Sequence, residues 1–332
     1  MVRTISVAAV MFFVIGSVKA QDLGSTIAKV GPEYAKAYLT PAANAFGVDL
    51  NSGLFHTAKV GGILPFGLDL YIGVQAGGAM IPTAERSFDL SYADTMYFAG
   101  QGGFPGVSVP VTYTTKNAPT IFGSKSPGYA VGTVDTTIDG FHFSRTDSVP
   151  TIGGLINTSI AAVPVPQLGL GSIFGTDVVV RYLPKTSIYN YGSVQMFGFA
   201  IRHSISQYIP LIPVDIAVQL GWQNLAIYDN TGAKIVKEST FAGNVEVSKT
   251  LAILTVYGGL QTESSTLDVS YILQPSSISL LSQPVPISFT MKGKETFRAL
   301  AGFNLALFPF LINADYSFGY FNSLTAGVGI SI

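Results

Sequence analysis

The chain has 332 residues, of which 11% are charged and 48% hydrophobic, with a net charge of -1 and no cysteine. Charged residues make up about 25% of an ordinary soluble domain, so this composition excludes a normally solvated surface. The charge balance leaves no electrostatic footprint for nucleic acid, and the absence of cysteine excludes disulfides, thiolate metal sites, cysteine nucleophiles and a lipidated cysteine.

The N-terminus has the form of a secretory leader. Arg3 supplies a short basic region, Ile5 to Val18 is mostly apolar, and Val18-Lys19-Ala20 precedes an expected cleavage before Gln21. The apolar run is shorter than the roughly 18 to 20 residues needed to cross a bilayer, which argues against an uncleaved anchor. Beyond the leader, the greasiest window, ALAGFNLALFPFLINA from Ala299, is interrupted by Asn304, Pro309 and Asn313. An exported, charge-poor, hydrophobic chain without a spanning helix leaves one membrane architecture, because only helices and closed barrels satisfy every backbone hydrogen bond in lipid. The expected fold is an all-β transmembrane antiparallel barrel of roughly 12 to 14 strands in the bacterial outer membrane. It divides into a leader (1–20), an N-terminal segment (21–50) and the barrel (51–332).

In the N-terminal segment, Pro32 to Phe46 reads as a short helix with Pro32 at its first position and a break at Pro41. It either plugs the lumen or rests against the periplasmic rim. The stretch GLDLYIGVQAGG (Gly67 to Gly78) then puts Leu68, Leu70, Ile72 and Val74 on one face and Asp69, Tyr71 and Gln75 on the other. In a barrel the first face meets lipid and the second the interior, so Leu70→Arg is expected to impair assembly far more than a change at Gln75.

Residues Thr83 to Gly153, with the Gly/Pro-rich stretch GQGGFPGVSVPVTYTT, carry the weakest pattern: a large outer loop, further strands, or both. Alternation resumes at Thr176–Tyr182 and Val194–Ser206 and continues around Ile216–Gln223, Phe241–Val247, Leu254–Gln261 and Phe297–Leu307. Short connections are expected at SIFG (Ser172 to Gly175), SQYIPLIP (Ser206 to Pro213), SKT (Ser248 to Thr250) and FPF (Phe308 to Phe310). Longer ones are expected at Lys185–Ser193, Ala226–Glu238 and Glu263–Glu295. The terminal SLTAGVGISI alternates and ends on apolar Ile332, the kind of ending the outer-membrane assembly machinery engages, usually with Phe in the last place.

Three segments, YLTPAANAFGVDLNSGLFHTA (Tyr38 to Ala58), VPQLGLGSIFGTDVVVRYLP (Val165 to Pro184) and FGFAIRHSISQYIPLIPVDIAV (Phe197 to Val218), resemble a family of functionally uncharacterised outer-membrane barrels from Bacteroidetes-type bacteria. More distantly, an N-terminal segment entering a barrel of this size is similar to the long-chain fatty-acid transporters. That resemblance implies passage of hydrophobic small molecules, without any matched ligand-binding residue.

GLGSIFG (Gly169 to Gly175) lacks the spacing and the following helix of a phosphate-binding loop. The three histidines, His56, His142 and His203, lack a second histidine at metal-ligand spacing. His142-Phe143-Ser144 could place a base beside a serine, but no enzyme activity, cofactor or metal is expected. His203 and the aromatics Tyr182, Tyr208, Trp222, Phe297 and Tyr316 belong to the outward rows and the interfacial girdles. The lumen-facing polar candidates are Asp69, Gln75, Asp177, Arg181, Arg202, Gln219, Glu246, Arg298 and Asn304, with Asp177–Arg181 and Glu246 with Arg202 or Arg298 as expected pairs. The expected function is passive transport of small molecules, hydrophobic ones included. The alternative is a closed structural or interaction barrel whose outer loops bind a partner.

Overall fold

The computed structural model describes residues 23–27, 30–61, 68–100, 106–171, 174–188, 192–274 and 283–332. The expected leader and Ser172-Ile173 of the SIFG connection lie outside the described residues. Helices α1 (Leu23–Ile27) and α2 (Pro32–Leu50) come first, then β1 (Leu70–Met80). A second group follows: β2 (Ser87–Phe98), β3 (Val107–Pro119), β4 (Tyr129–Ile138) and β5 (Phe141–Pro150). Next come β6 (Ile160–Leu170), β7 (Thr176–Ser187), β8 (Ser193–Ser204), β9 (Asp215–Tyr228), β10 (Lys234–Leu251) and β11 (Leu254–Leu273). The chain finishes with β12 (Val285–Lys292), β13 (Phe297–Leu307), β14 (Phe310–Phe318) and β15 (Ser323–Ser331).

Ten of these strands close a ring in the order β1, β6, β7, β8, β9, β10, β11, β13, β14, β15, and β15 pairs antiparallel with β1 to seal it. This is fewer than the 12 to 14 expected. The additional strands stand outside the ring: β2 to β5 form a separate four-stranded sheet, and β12 pairs only with the far half of β11. Strand β6, unread in the sequence because Pro164 and Pro166 interrupt it, pairs along its length with β1 but meets β7 only at Gln167–Leu170. The prolines thus sit where that second ladder is not formed, the position in a sheet that a residue without N–H tolerates.

Outside the ring lies an apolar band. Ile72, Phe199, Ile201, Leu220, Val245, Leu260, Phe303, Ile312 and Val328 are each more than a third exposed on outward parity. An eleven-residue strand such as β13, at about 3.3 Å per residue and a tilt of about 40°, rises roughly 28 Å, enough for the ~25 Å apolar belt of a membrane barrel. Tyr182 and Phe297 are exposed beyond this band at one end and Tyr208 at the other. Trp222 packs against Phe199 at 6.0 Å, and Tyr316 against Phe318 at 4.7 Å. His203 packs at a tilt against Tyr208 at the rim, ring centroids 5.7 Å apart, with Thr176 Oγ1 2.8 Å from its Nδ1.

The two ends of the ring differ. At one end the connections are Ala252-Ile253 and Phe308-Pro309, together with the β6–β7 and β8–β9 turns, Leu70 and Ile332. SKT is therefore strand, with the turn three residues later. At the other end the ring releases its two large excursions: residues 81–159, which hold β2 to β5, and 274–296, which hold β12. Of the other two connections expected to be long, Ala226–Glu238 is only a hairpin tip, because β9 and β10, at 14 and 18 residues, run on past the apolar band, and Lys185–Ser193 includes residues outside the described ones.

The main apolar core lies at this excursion end, where Tyr38, Leu39, Phe122, Val236, Leu267 and Phe321 pack together. Tyr38 hydrogen-bonds Gly153 O through its hydroxyl, and burial pushes its phenol pKa up. Lys294 donates to Tyr320 Oη (2.8 Å) and Glu85 Oε1 (3.3 Å), contacts that hold its ammonium above the ordinary lysine value. Helix α2 runs unbroken through Pro41. Proline removes one helical hydrogen bond, and burial of most of the helix surface among β1, β2, β6, β10, β11 and β12 outweighs that loss.

Candidate functional site

The lumen is occupied by the chain itself. From the C-terminal turn of α2 onward, residues 47–60 descend the ring interior, and their backbone groups are met level by level by inward side chains. Three arginines from three strands take the carbonyls. Arg298 of β13 donates to Val48 O (3.2 Å) and Ser52 Oγ (2.9 Å). Arg181 of β7 donates to Leu50 O and Ser52 O, both at 2.9 Å. Arg202 of β8 donates to Thr57 O. Gln223 donates to Leu50 O, Gln261 to Asn51 O (3.2 Å) and Gln219 to Leu54 O (3.3 Å). Near the far end Ala58 N donates to Ser248 Oγ at 3.0 Å.

A non-helical segment at membrane depth is tolerated only when protein takes up its backbone groups, and these glutamines and arginines do that. Gln75, Arg181, Gln219, Glu246 and Arg298 are at most 2% exposed, and Asp177, Arg202 and Asn304 are also buried. Asp69, at the short-turn rim, accepts from Ser331 Oγ at 2.6 Å.

The pairing within the lumen differs from the sequence expectation. Asp177 binds Arg202 rather than Arg181. Residues four apart on a strand are separated by about 13 Å along it, whereas a cross-strand neighbour is about 5 Å away. Asp177 and Arg202 are such neighbours. Arg202 also lies 3.5 Å from Glu246, one of its expected partners. Arg298 pairs instead with Glu263, which the pattern did not single out, through Nε and Oε2 at 3.0 Å. Among the described residues Arg181 has no carboxylate partner; Gln167 and Gln223, both at 3.0 Å, complete its shell. Gln223 was legible only as a further inward position of an alternating strand, whereas Gln167 lies on the unread β6 and Glu263 at the start of what read as a long connection.

Gln75 and Asn313 exchange two hydrogen bonds, 3.0 and 3.1 Å, and Gln75 also donates to Tyr71 Oη at 3.1 Å. Leu70 is the first residue of its strand, at the short-turn rim. An arginine there costs only about 0 to 1 kcal/mol, whereas removing a buried hydrogen-bond partner costs about 1 to 3 kcal/mol. The sequence-based ranking therefore reverses: Gln75→Ala is expected to lower the urea midpoint of the folded barrel more than Leu70→Arg, and an equal or smaller shift would contradict the role of the pair. Gly327 is bound to the same geometry. A Cβ there would lie 2.0 Å from Gln75 Oε1, so Gly327→Ala is expected to destabilise by about 1 to 3 kcal/mol, measured as a fall in the temperature at which the compact gel band is lost.

Beneath the threaded segment, at the short-turn end, lies a cavity of about 280 Å³ lined by Phe55, Thr57, Asp69, Tyr71, Asp177, Arg202, Asn304 and Ile332. Among the described residues no helix is long and apolar enough to cross a membrane, and no cluster of histidine and carboxylates has the makings of a metal site. His142 and Ser144 lie far from the lumen on exposed β5. His142 Nε2 is 2.7 Å from Asp135 Oδ1, and no hydrogen bond joins His142 to Ser144.

A closed antiparallel ring with an apolar outer band and a lumen filled by its own N-terminal segment defines a transmembrane β-barrel of outer-membrane type. Within that class, the Family of unknown function (DUF6588) matches residues 1–332, and the chain belongs to this family. No curated protein matches the chain. Among solved structures it is similar to a loop L8 deletion mutant of OmpT, an outer membrane protein of Vibrio cholerae (10% identity over 80% of this chain and 99% of that one, TM-score 0.25). It is also similar to the translocator domain of autotransporter NalP from Neisseria meningitidis (10% identity, 92% and 98%, TM-score 0.25). A third similar structure is Pseudomonas aeruginosa OccK11 (OpdR) (8% identity, 84% and 99%, TM-score 0.22). None of these scores reaches 0.5, and the reading of the fold rests on the chain's own geometry.

Proposed function

We propose that the protein is a barrel of the bacterial outer membrane, held closed by its N-terminal segment, that works as a scaffold presenting an outer interaction face. One observation carries this reading: residues 47–60 fill the lumen and three buried arginines hold their carbonyls. The outer face consists of the sheet β2 to β5, in which β2 and β5 are the edge strands among the described residues, together with the projecting β10–β11–β12 ladder. The edge of a sheet is a template on which a partner chain can pair. Contact with outer-membrane lipid along the apolar band and delivery by the assembly machinery belong to the same reading.

The test is planar-bilayer conductance of the refolded mature protein. Native protein is expected to be silent, and the double variant Arg181→Ala/Arg298→Ala to show conductance steps as the segment loosens. Steady conductance from the native protein would remove the closed-barrel reading. A second reading, passive passage of small molecules including hydrophobic ones, is favoured by the cavity at the short-turn end. It predicts that a lipid-like ligand co-purifies with the folded protein and is lost on unfolding.

A further inference from the structure

The N-terminal segment enters the barrel from the end opposite to the one where the ring begins. Helix α1 packs against β11, and Tyr271, on the part of β11 beyond the ring, donates to Val30 O at 2.9 Å. Tyr34 stacks edge-on against Phe88 of β2 at 5.0 Å, and Ile121 N donates to Tyr38 O. These partners all belong to the excursion end. From there the chain passes inward: Asn51 meets Phe241 O, and Ala58 meets Ser248, seven residues further along β10 towards the short turns. Lys59 and Gly61 then line the cavity beside Phe308, Pro309 and Ile332, and Leu70 opens β1 at that end.

The chain has therefore crossed the full depth of the ring before its first ring strand starts. In outer-membrane barrels the short turns face the periplasm and the large excursions face outward. We infer that the protein carries its own N-terminal segment across the membrane, so that α1 and the first turns of α2 stand at the cell surface as part of the outer interaction face. The inference rests on the outer-membrane reading above and adds the side on which the N-terminal helices reside.

The same geometry orders assembly. A helix with side chains is about 10 to 12 Å across, and the ring admits only the last turn of α2, beyond which the chain continues as an irregular segment with inward side chains close against it. Asp49 O, for instance, lies 3.0 Å from where a Cβ on Gly77 would be. A closed ring leaves no room to pull α2 through, so the segment is in place before β15 pairs with β1, and the ring closes around it.

Because the chain has no cysteine, single cysteines report side directly. Glu33→Cys on α2, Thr137→Cys on β4 and Ile253→Cys at the β10–β11 turn are exposed positions. Each variant, expressed in cells and checked for the heat-sensitive mobility of a folded barrel, is treated with a membrane-impermeant maleimide before and after lysis. Glu33→Cys and Thr137→Cys are expected to react fully in intact cells, and Ile253→Cys only after lysis. Protection of Thr137→Cys in intact cells, or reaction of Ile253→Cys there, overturns the outer-membrane orientation. Reaction of Thr137→Cys with protection of Glu33→Cys overturns the threading alone. Lys36→Cys, also exposed on α2, replaces Glu33→Cys if that variant does not fold.

Discussion

Arg298→Ala is expected to destabilise the folded barrel by about 3 to 5 kcal/mol, the range for breaking a buried ion pair by removing one partner. The truncation leaves the Glu263 carboxylate buried without its cation and at the same time removes the arginine's bonds to Val48 O and Ser52 Oγ of the threaded segment, which then keep only the 2.7 Å bond Ser52 Oγ donates to Val48 O. Gln261, which also donates to Glu263, is too weak a partner to hold that charge. Urea unfolding in detergent, followed by the fluorescence of the single tryptophan, Trp222, on the outer band, reads the shift. Replacing both partners, Arg298→Met with Glu263→Leu, is expected to regain much of the loss, because it removes the stranded charge with its partner. A single variant as stable as the parent would show that the arginine does not hold the segment.

Leu220→Arg attacks the other face of the same wall. Leu220 is 55% exposed in the middle of β9, with Val218 and Trp222 beside it on the outward row. An arginine on the lipid face near the bilayer midplane costs about 2 to 4 kcal/mol. Leu211→Arg is the control: Leu211 is fully exposed on the β8–β9 connection, where a surface substitution changes stability by less than about 0.5 kcal/mol. In lipid vesicles, Leu220→Arg is expected to fold to a lower yield and unfold at lower urea than Leu211→Arg. Indistinguishable behaviour of the two would mean that the apolar band does not meet hydrocarbon.

Both predictions depend on which way a side chain points, and that was readable from the amino acids. The rows Phe197-Phe199-Ile201 against Gly198-Ala200-Arg202, and Val218-Leu220-Trp222 against Gln219-Gly221-Gln223, fall on the outward and inward faces as alternation requires, because successive side chains of a strand point oppositely whatever the rest of the chain does. The scarcity of charge and the absence of a long apolar helix narrowed the architecture to a barrel by an equally local argument. Helix α2 was half legible. Its start at Pro32 follows from a position where the missing N–H is harmless, but its passage through Pro41 depends on partners distant in the chain.

What alternation cannot carry is anything set by register or closure. Four residues in sequence made Asp177 and Arg181 look like a pair, and the β7–β8 register gave Asp177 to Arg202 instead. The number of ring strands depended on whether residues 83–153 join the ring or build their own sheet, and a strand in either place has the same sequence period. The direction from which the N-terminal segment enters is the clearest case. Local pattern assigns each residue a face but no height in the barrel, so only the contacts from Val48–Arg298 down to Ala58–Ser248 set the direction of the thread. The amino acids by themselves decided what each strand turns towards lipid and what it turns inward; the folded chain decided that the inward side is occupied by its own backbone, because that depends on contacts between residues far apart in sequence.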